Sequence, residues 1–181
     1  MKNNFVIIFL AIVIFSCGQN VPRKPIVRKT SSFLKESVSF NKSLIAEEER
    51  AFKNYITNDS LNTYLISTNG FSYKIEKKST SSYFPKFGDN VTFSYDVYDL
   101  NDEIIYSSNE IGVQNYFVDQ QEIVEGLRNG LKLMNEGDVV TFLFPSHKVF
   151  GYLGDQKKIA VNQPLIYKVQ LNKIKKKNES N

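Results

Sequence analysis

The chain has 181 residues, a formal net charge of +4, 41% hydrophobic residues, 14 Phe, 10 Tyr and no Trp. This length and composition allow one folded domain with appendages or two small domains. The charge is too small and too evenly spread to indicate a nucleic-acid-binding protein. One Cys and one His exclude an internal disulfide, a zinc site and a Cys–His nucleophile, so we predict no metal site.

The N-terminus resembles a bacterial lipoprotein signal. Lys2 precedes an apolar run over residues 5–15, which is too short to span a bilayer. The run ends at Ser16-Cys17, as in a lipobox, and Cys17 is the sole cysteine. We expect residues 1–16 to be removed and Cys17 to be lipidated. A chance cysteine and a plain cleaved signal are the alternatives.

The segment that follows predicts a tether and then a helix. Residues 17–42 contain two prolines, four basic residues near the start and no sustained period, which favours a flexible linker. From Ser43 to residue 58 the pattern is amphipathic, with Glu47, Glu48 and Glu49 on the solvent side. Its apolar stripe covers either the folded domain or a second copy, which would give a homodimer.

Two short alternating segments, 64–68 and 71–75, flank Asn69-Gly70. This dipeptide is a strong indicator of a two-residue β-hairpin turn. We assign residues 43–83 to a helix-and-hairpin extension ahead of the main domain, residues 84–175 to that domain, and residues 176–181 to a polar tail.

The main domain combines alternating segments at 91–97, 139–144 and 165–171 with one short helix near 123–134. The helix has an apolar stripe of Val124, Leu127, Leu131 and Met134. Gly126 and Gly130, one turn apart, predict a close approach to the sheet, with a frayed surface helix as the alternative. Asp119 with Glu122 suggests a capping box, and Gly137 a C′ residue. The long loop 146–164 is of a length that is usually functional.

The order of these pieces resembles the FKBP-type peptidyl-prolyl cis-trans isomerases over residues 84–174. The pieces that carry the resemblance are Gly88-Asp89, Tyr106-Ser107-Ser108, Val124-Glu125-Gly126-Leu127, Gly130-Leu131, Glu136-Gly137, Phe150-Gly151 and Asn162-Gln163-Pro164-Leu165. The resemblance implies an α+β fold, in which a curved antiparallel β-sheet wraps around one short α-helix. The N-terminal helix and hairpin would precede this fold.

The resemblance also implies a reaction, rotation about an Xaa-Pro amide, whose barrier is about 18–20 kcal/mol. The partners are proline-containing polypeptides, and no cofactor is needed. An apolar pocket that strips water from the carbonyl lowers the barrier. The family positions implied as catalytic are Tyr95, Ile123, Val124, Leu127, Phe150, Ile159 and Tyr167. Ile105, Tyr106 and the Val124 N–H occupy substrate-binding positions.

Three positions depart from the family pattern. Ile105-Tyr106 replaces Phe-Asp, Leu127 replaces Trp, and Phe150 replaces Tyr. The resemblance therefore implies a more apolar pocket without its usual carboxylate. Two hypotheses follow: an active isomerase that assists folding of cell-envelope proteins, or a non-catalytic chaperone or scaffold module. His147 and the lysines near the C-terminus receive no role.

The whole arrangement, from lipobox to hairpin, is similar to the gliding-motility-associated FKBP-type lipoproteins. This resemblance implies a protein anchored by Cys17 in the cell envelope, and we expect it at the outer membrane, facing the periplasm.

Overall fold

The computed structural model describes residues 30–179, with side chains from Phe33 to Asn178. The chain divides into two compact units, with the boundary between Ser37 and Val38. The predicted signal segment and Cys17 lie outside the described residues, as does the first half of the predicted tether, residues 17–29. The sheet and the candidate site belong to the second unit.

Within residues 30–179 there are three α-helices and seven β-strands. In chain order they are α1 (Thr30–Asn58), β1 (Leu65–Ile66), β2 (Ser72–Lys77), β3 (Asn90–Tyr98), β4 (Ile104–Tyr106), α2 (Ser108–Ile111), β5 (Gln114–Phe117), α3 (Glu125–Leu131), β6 (Val139–Phe144) and β7 (Leu165–Lys175). The strands form one antiparallel sheet in the order β1-β2-β6-β7-β3-β4, and β5 also pairs with β3. The predicted curved sheet with its short helix and N-terminal helix is confirmed. No helix in this part of the chain combines the length and apolarity needed to cross a membrane.

Alternation along β6 gives the sheet two different faces. Phe142 and Phe144 contact α3, and we call this side the α3 face. Leu143, between them, packs with Phe52 of α1 and Ile166 of β7 on the opposite side, the α1 face. Because successive side chains of a strand point to opposite faces, one six-residue strand supplies both cores.

The two glycines of α3 let the helix lie close to the sheet. A Cβ on Gly126 would lie 2.8 Å from the Phe144 ring, and a Cβ on Gly130 would lie 3.0 Å from the Phe142 ring. The predicted close approach is confirmed. The predicted stripe is also buried at Leu127, Leu131 and Met134.

The predicted ends of α3 are wrong. The helix begins at Glu125, with Val124 as an N-cap that makes no side-chain cap bond. Asp119 lies upstream of the helix because its N–H donates to the Tyr116 hydroxyl, and its carboxylate accepts from Lys132 Nζ at 2.8 Å. Gly137 lies beyond the helix, where its N–H donates to the Leu171 carbonyl.

Helix α1 corrects two predictions. It begins at Thr30, so residues 30–42 of the predicted tether are helical; this stretch contains no Gly or Pro to end the helix. Glu48 is buried instead of exposed, because it lies one turn before Phe52 on the face that contacts the sheet. The apolar stripe of this helix was predicted to cover either the folded domain or a second copy of the chain. In the structure it packs on the folded domain.

The predicted hairpin is confirmed, with a different turn. A two-residue type I′ turn needs positive φ at both central residues, but only Gly70 has it, with φ of 79°. The Gly70 N–H donates to the Ser67 carbonyl, and the Ser67 N–H donates to the Phe71 carbonyl, which closes a three-residue loop.

The helix-and-hairpin extension and the main domain were predicted as separate parts of the chain. They share one sheet, because β2 of the extension pairs with β6 of the domain. At the other end, part of the predicted polar tail is ordered: residues Lys177–Glu179 form a 3-10 turn, and the Lys177 N–H donates to Asp89 Oδ1.

Candidate functional site

A cleft of about 270 Å³ opens where the middle of β3 and the start of β7 meet the loop 146–164. Its lining comprises residues from β3, β4, α2, the loop and β7: Tyr95, Val97, Tyr106, Ile111, Phe150, Asp155, Lys157, Ile159 and Tyr167. Strands β3 and β7 are neighbours in the sheet, and Val97 pairs with Tyr167. The cleft therefore has a rigid floor of strands and one wall of loop.

Stacked tyrosines form the aromatic side of the cleft. The rings of Tyr95 and Tyr167 are 5.3 Å apart at 21°, and Tyr95 also stacks on Phe93. Burial raises the pKa of both tyrosines, so their hydroxyls stay protonated at neutral pH. Neither hydroxyl has a hydrogen-bond partner among the described residues. Two donors are thus available at the wall of an otherwise apolar cleft.

A carboxylate that the sequence comparison did not predict lies at the rim. The Tyr106 hydroxyl donates to Asp155 Oδ2, while the N–H groups of Lys157 and Ile159 donate to Oδ1 at 2.9 and 2.8 Å. Burial raises the pKa of Asp155, but these hydrogen bonds outweigh it and leave the pKa below its ordinary value. The same bond to Asp155 raises the pKa of Tyr106.

The expectation that the pocket lacks a carboxylate is therefore wrong. Tyr106 stands where the family has its acid, and Asp155 on the loop supplies the carboxylate to which Tyr106 binds. Gly154 has φ of 59°, and a Cβ there would lie 2.4 Å from the Ile159 carbonyl oxygen. That glycine allows the tight loop that presents Asp155. In the sequence, the length of the loop 146–164 was the feature that indicated a functional segment here.

The outer side of Tyr106 is covered by a cation. Lys158 Nζ lies 4.6 Å from the centre of the Tyr106 ring, and Glu110 accepts from the same ammonium at 2.8 Å. A cation over an aromatic face is attracted by the ring quadrupole. Together with Asp155, this contact fixes the ring that forms one wall of the cleft.

The model of the FKBP-type peptidyl-prolyl cis-trans isomerase family matches residues 81–172, just over half of the chain. The protein belongs to the FKBP family. No match was found among curated proteins. The family match begins after β2, so the first two strands are an addition to the matched FKBP segment that extends its sheet.

The FKBP cleft brings together five of the predicted site residues: Tyr95, Tyr106, Phe150, Ile159 and Tyr167. The sequence analysis did not predict the other four residues of the cleft lining, which are Val97, Ile111, Asp155 and Lys157. Leu127 is only 3% exposed and belongs to the same core cluster as Val97 and Tyr167, while Ile105, Ile123 and Val124 are partly buried against that core. These four predicted residues do not line the cleft. Their roles remain predictions.

The Val124 N–H, the predicted substrate-binding donor, has no hydrogen-bond partner among residues 30–179, whereas the Val124 carbonyl accepts from the Arg128 N–H. In the same part of the chain, no group of His, Cys, Asp and Glu side chains is arranged to bind a metal ion.

Proposed function

We propose that this FKBP protein is an active peptidyl-prolyl cis-trans isomerase. The observation that carries the proposal is the cleft of about 270 Å³, in which aromatic and aliphatic walls surround unpaired tyrosine hydroxyls. Its size suits a proline ring and its flanking peptide groups. FKBP membership supports this chemistry in general.

The cleft lowers the barrier by favouring the twisted amide. Apolar contacts with Ile159 and the tyrosine rings seat the proline and exclude water, whose hydrogen bonds stabilise the planar amide with its polarised carbonyl. The hydroxyls of Tyr95 and Tyr167 and the Val124 N–H are the donors that orient the peptide carbonyls. No bond is made or broken, so no acid or base is required.

The activity is tested with a protease-coupled assay on Xaa-Pro peptides, using the protein without its signal segment. We expect catalysis that Leu127→Asp abolishes, because a charge enters the core cluster that also contains Val97 and Tyr167 of the cleft. Leu127→Asp can also unfold the domain, so Tyr167→Phe is the second variant. It removes one hydroxyl and leaves the ring, and we expect reduced catalysis with the fold intact. A wild-type rate equal to that of buffer would remove the enzyme assignment.

A second candidate is a non-catalytic FKBP-like chaperone or scaffold that binds envelope proteins. It is favoured by Phe150, which lacks the hydroxyl usual at this position of the family, and by Ile105 in place of an aromatic wall. The test is complementation in the source bacterium. If cleft variants without isomerase activity restore the deletion phenotype, the scaffold assignment replaces the enzyme.

We further propose that Cys17 is lipidated and anchors the protein at the outer membrane, facing the periplasm, where it assists folding of exported proteins. Support comes from the lipobox-like Ser16-Cys17 after the apolar run. Cys17→Ala should move the protein from the membrane fraction to the soluble periplasm. Unchanged partitioning would refute lipidation.

A link to the gliding machinery rests on the similarity of the whole arrangement to gliding-associated lipoproteins, and is tested by the motility of a deletion strain. We also keep the predicted homodimer through residues 43–58 as a proposal. The Ile45 side chain, within this range, remains exposed for such a contact. Sedimentation equilibrium of the wild type against Ile45→Glu decides it.

A further inference from the structure

A second and larger cavity lies on the α1 face of the sheet. It is a groove of about 650 Å³ between α1, the hairpin and the end of β6. Its walls are mainly apolar, with contributions from Ile45, Phe52, Ile56, Ile66 and Leu143. Ile66 is 85% exposed, so the groove has an apolar rim open to solvent. We call it the Glu48 groove.

Glu48 gives this apolar groove a specific polar feature. Its side chain is 5% exposed, and Oε2 accepts from the Ser146 N–H at 3.1 Å. Oε1 is buried with no hydrogen-bond partner, alone among the buried side-chain polar atoms of the described residues. Lys53 and His147 also line the groove, yet neither forms an ion pair with Glu48 in this part of the chain. A buried acceptor of this kind is usually satisfied by a donor, which a water molecule or a ligand group supplies where the protein does not.

A third cavity lies between the Glu48 groove and the FKBP cleft, and it shares lining residues with each of them. This cavity of about 470 Å³ shares Ile45, Glu48 and His147 with the groove. That cavity also contains Phe150, which lines the FKBP cleft. The shortest route along these shared residues leads from the cleft past Phe150 and through the third cavity to Glu48.

We propose that the Glu48 groove binds the continuation of the proline-containing polypeptide, with apolar side chains in the groove and a Lys or Arg that donates to Glu48 Oε1. The inference rests on the proposed function, because the proline of the same polypeptide occupies the cleft. The carboxylate selects a cation, and the surrounding apolar walls select its neighbours. Linking the two contacts raises the effective concentration of the second segment. The substrates of this enzyme are then unfolded segments with a basic residue among apolar ones at a fixed distance from proline.

The test uses fluorescent peptides that carry Phe-Pro and, about four, six or eight residues away on either side, Leu-Arg-Leu. Matched peptides have norleucine in place of Arg. Fluorescence anisotropy with the wild-type protein should show at least tenfold tighter binding of one Arg peptide over its norleucine partner. Glu48→Gln should remove that difference, because the neutral amide presents a donor where the cation binds. Glu47→Gln, outside the groove lining, is the matched control and should bind like the wild type.

A further set of peptides separates this inference from the isomerase assignment. Peptides with Ala in place of Pro should bind more weakly, yet retain their dependence on Glu48. If catalysis is absent while this dependence persists, the isomerase assignment fails and the groove assignment stands. If catalysis is present and Glu48→Gln leaves every affinity unchanged, the groove assignment fails.

Ile66→Ser tests the groove without touching the buried carboxylate and without adding a charge. This exposed rim substitution should weaken binding of both the Arg peptide and its norleucine partner by a similar factor, and circular dichroism checks that the fold is kept. A concentration-dependent dimer that Ile66→Ser dissolves would identify a second copy of the chain as the occupant, and would overturn the proposal.

Discussion

The two faces of the sheet are built from the same strands but are closed in different ways. On the α3 face, glycines bring the helix against the rings of Phe142 and Phe144. On the α1 face, the longer helix α1 contacts Leu143 and Ile166 through Phe52 and leaves a groove of about 650 Å³ beside it. Close packing without voids stabilises a fold, whereas incomplete closure leaves room for a ligand.

Two carboxylates repeat this contrast. Asp155 accepts hydrogen bonds on both of its oxygens, whereas Glu48 accepts on one. Asp155 completes the wall of the FKBP cleft, whereas Glu48 has one oxygen, Oε1, that accepts no hydrogen bond among the described residues. The comparison teaches that the α3 face uses its carboxylate fully within the fold, whereas the α1 face leaves one buried carboxylate oxygen without a partner among the described residues. The substitutions below test this difference.

The largest expected effect is that of Phe144→Ala. Phe144 is fully buried and contacts Phe71, Phe142 and Tyr167, so truncation leaves a cavity in the closed core. We expect the free energy of unfolding to fall by about 3–5 kcal/mol. Phe52→Ala should cost less, roughly 2 kcal/mol, because its surroundings already open onto the groove. Urea unfolding of both variants checks this; equal losses would contradict the contrast between the faces.

Gly126→Ala should destabilise the protein by about 1–3 kcal/mol, although Ala is the better helix former. The added methyl group would lie 2.8 Å from the Phe144 ring, which is buried and cannot move away. The control is Asn129→Ala in the same helix, which should change stability by less than about 0.5 kcal/mol. Thermal unfolding of the pair is the measurement, and a more stable Gly126→Ala would show that α3 is not tightly closed on the sheet.

These glycines also show how far the sequence predicts the structure. Alternation at 139–144 and the helical stripe around Leu127 predicted β6 and α3, because period is a property of single segments. The ends of α3, the burial of Glu48 and the partner of Tyr106 depend on contacts between segments distant in sequence. Asp155 meets Tyr106 only after β4 and the loop are folded together, so no local pattern around Tyr106 could reveal it. Strand β5 and helix α2 were missed because each is only four residues long.

Asp155→Asn should lower isomerase kcat/KM by about tenfold, equivalent to roughly 1.4 kcal/mol. The charged acceptor that fixes the Tyr106 ring and the loop backbone is lost. Tyr106→Phe should have a smaller effect, because it removes only one of the hydrogen bonds that Asp155 accepts. The double variant should be no worse than Asp155→Asn alone, because the Tyr106 hydroxyl acts through its bond to Asp155. Additive losses would show that the two side chains act separately.

The lowered pKa of Asp155 predicts how the stability of the protein changes with pH, and the wild type can be compared with Asp155→Asn. Its value lies below the ordinary 3.8, so the bond stabilises the fold above about pH 4, and this stabilisation is lost as the pH falls through the lowered pKa. Wild-type stability should therefore drop more steeply than that of Asp155→Asn below about pH 4. Between about pH 5 and 8 the difference should stay constant.

The smallest expected effect is that of Glu48→Gln on stability, and its sign is opposite. Removing a buried charge with an unpaired oxygen should raise the free energy of unfolding by up to about 1 kcal/mol. Urea unfolding beside Glu47→Gln, which should be neutral, is the measurement. A destabilised Glu48→Gln would mean that the carboxylate serves the fold, and that the α1 face is as fully satisfied as the α3 face.

The place of β7 in the sheet determines how the chain can fold. It is the last strand in sequence but lies between β6 and β3, with which it forms its two ladders. Until residues 165–175 are available, the chain consists of two separate sets of strands with exposed edges. Such long-range pairing slows folding and leaves the unfinished chain prone to association with other strands. A chain truncated before Leu165 should therefore be an aggregation-prone fragment, and assembly of this domain is a late event that waits for its C-terminus.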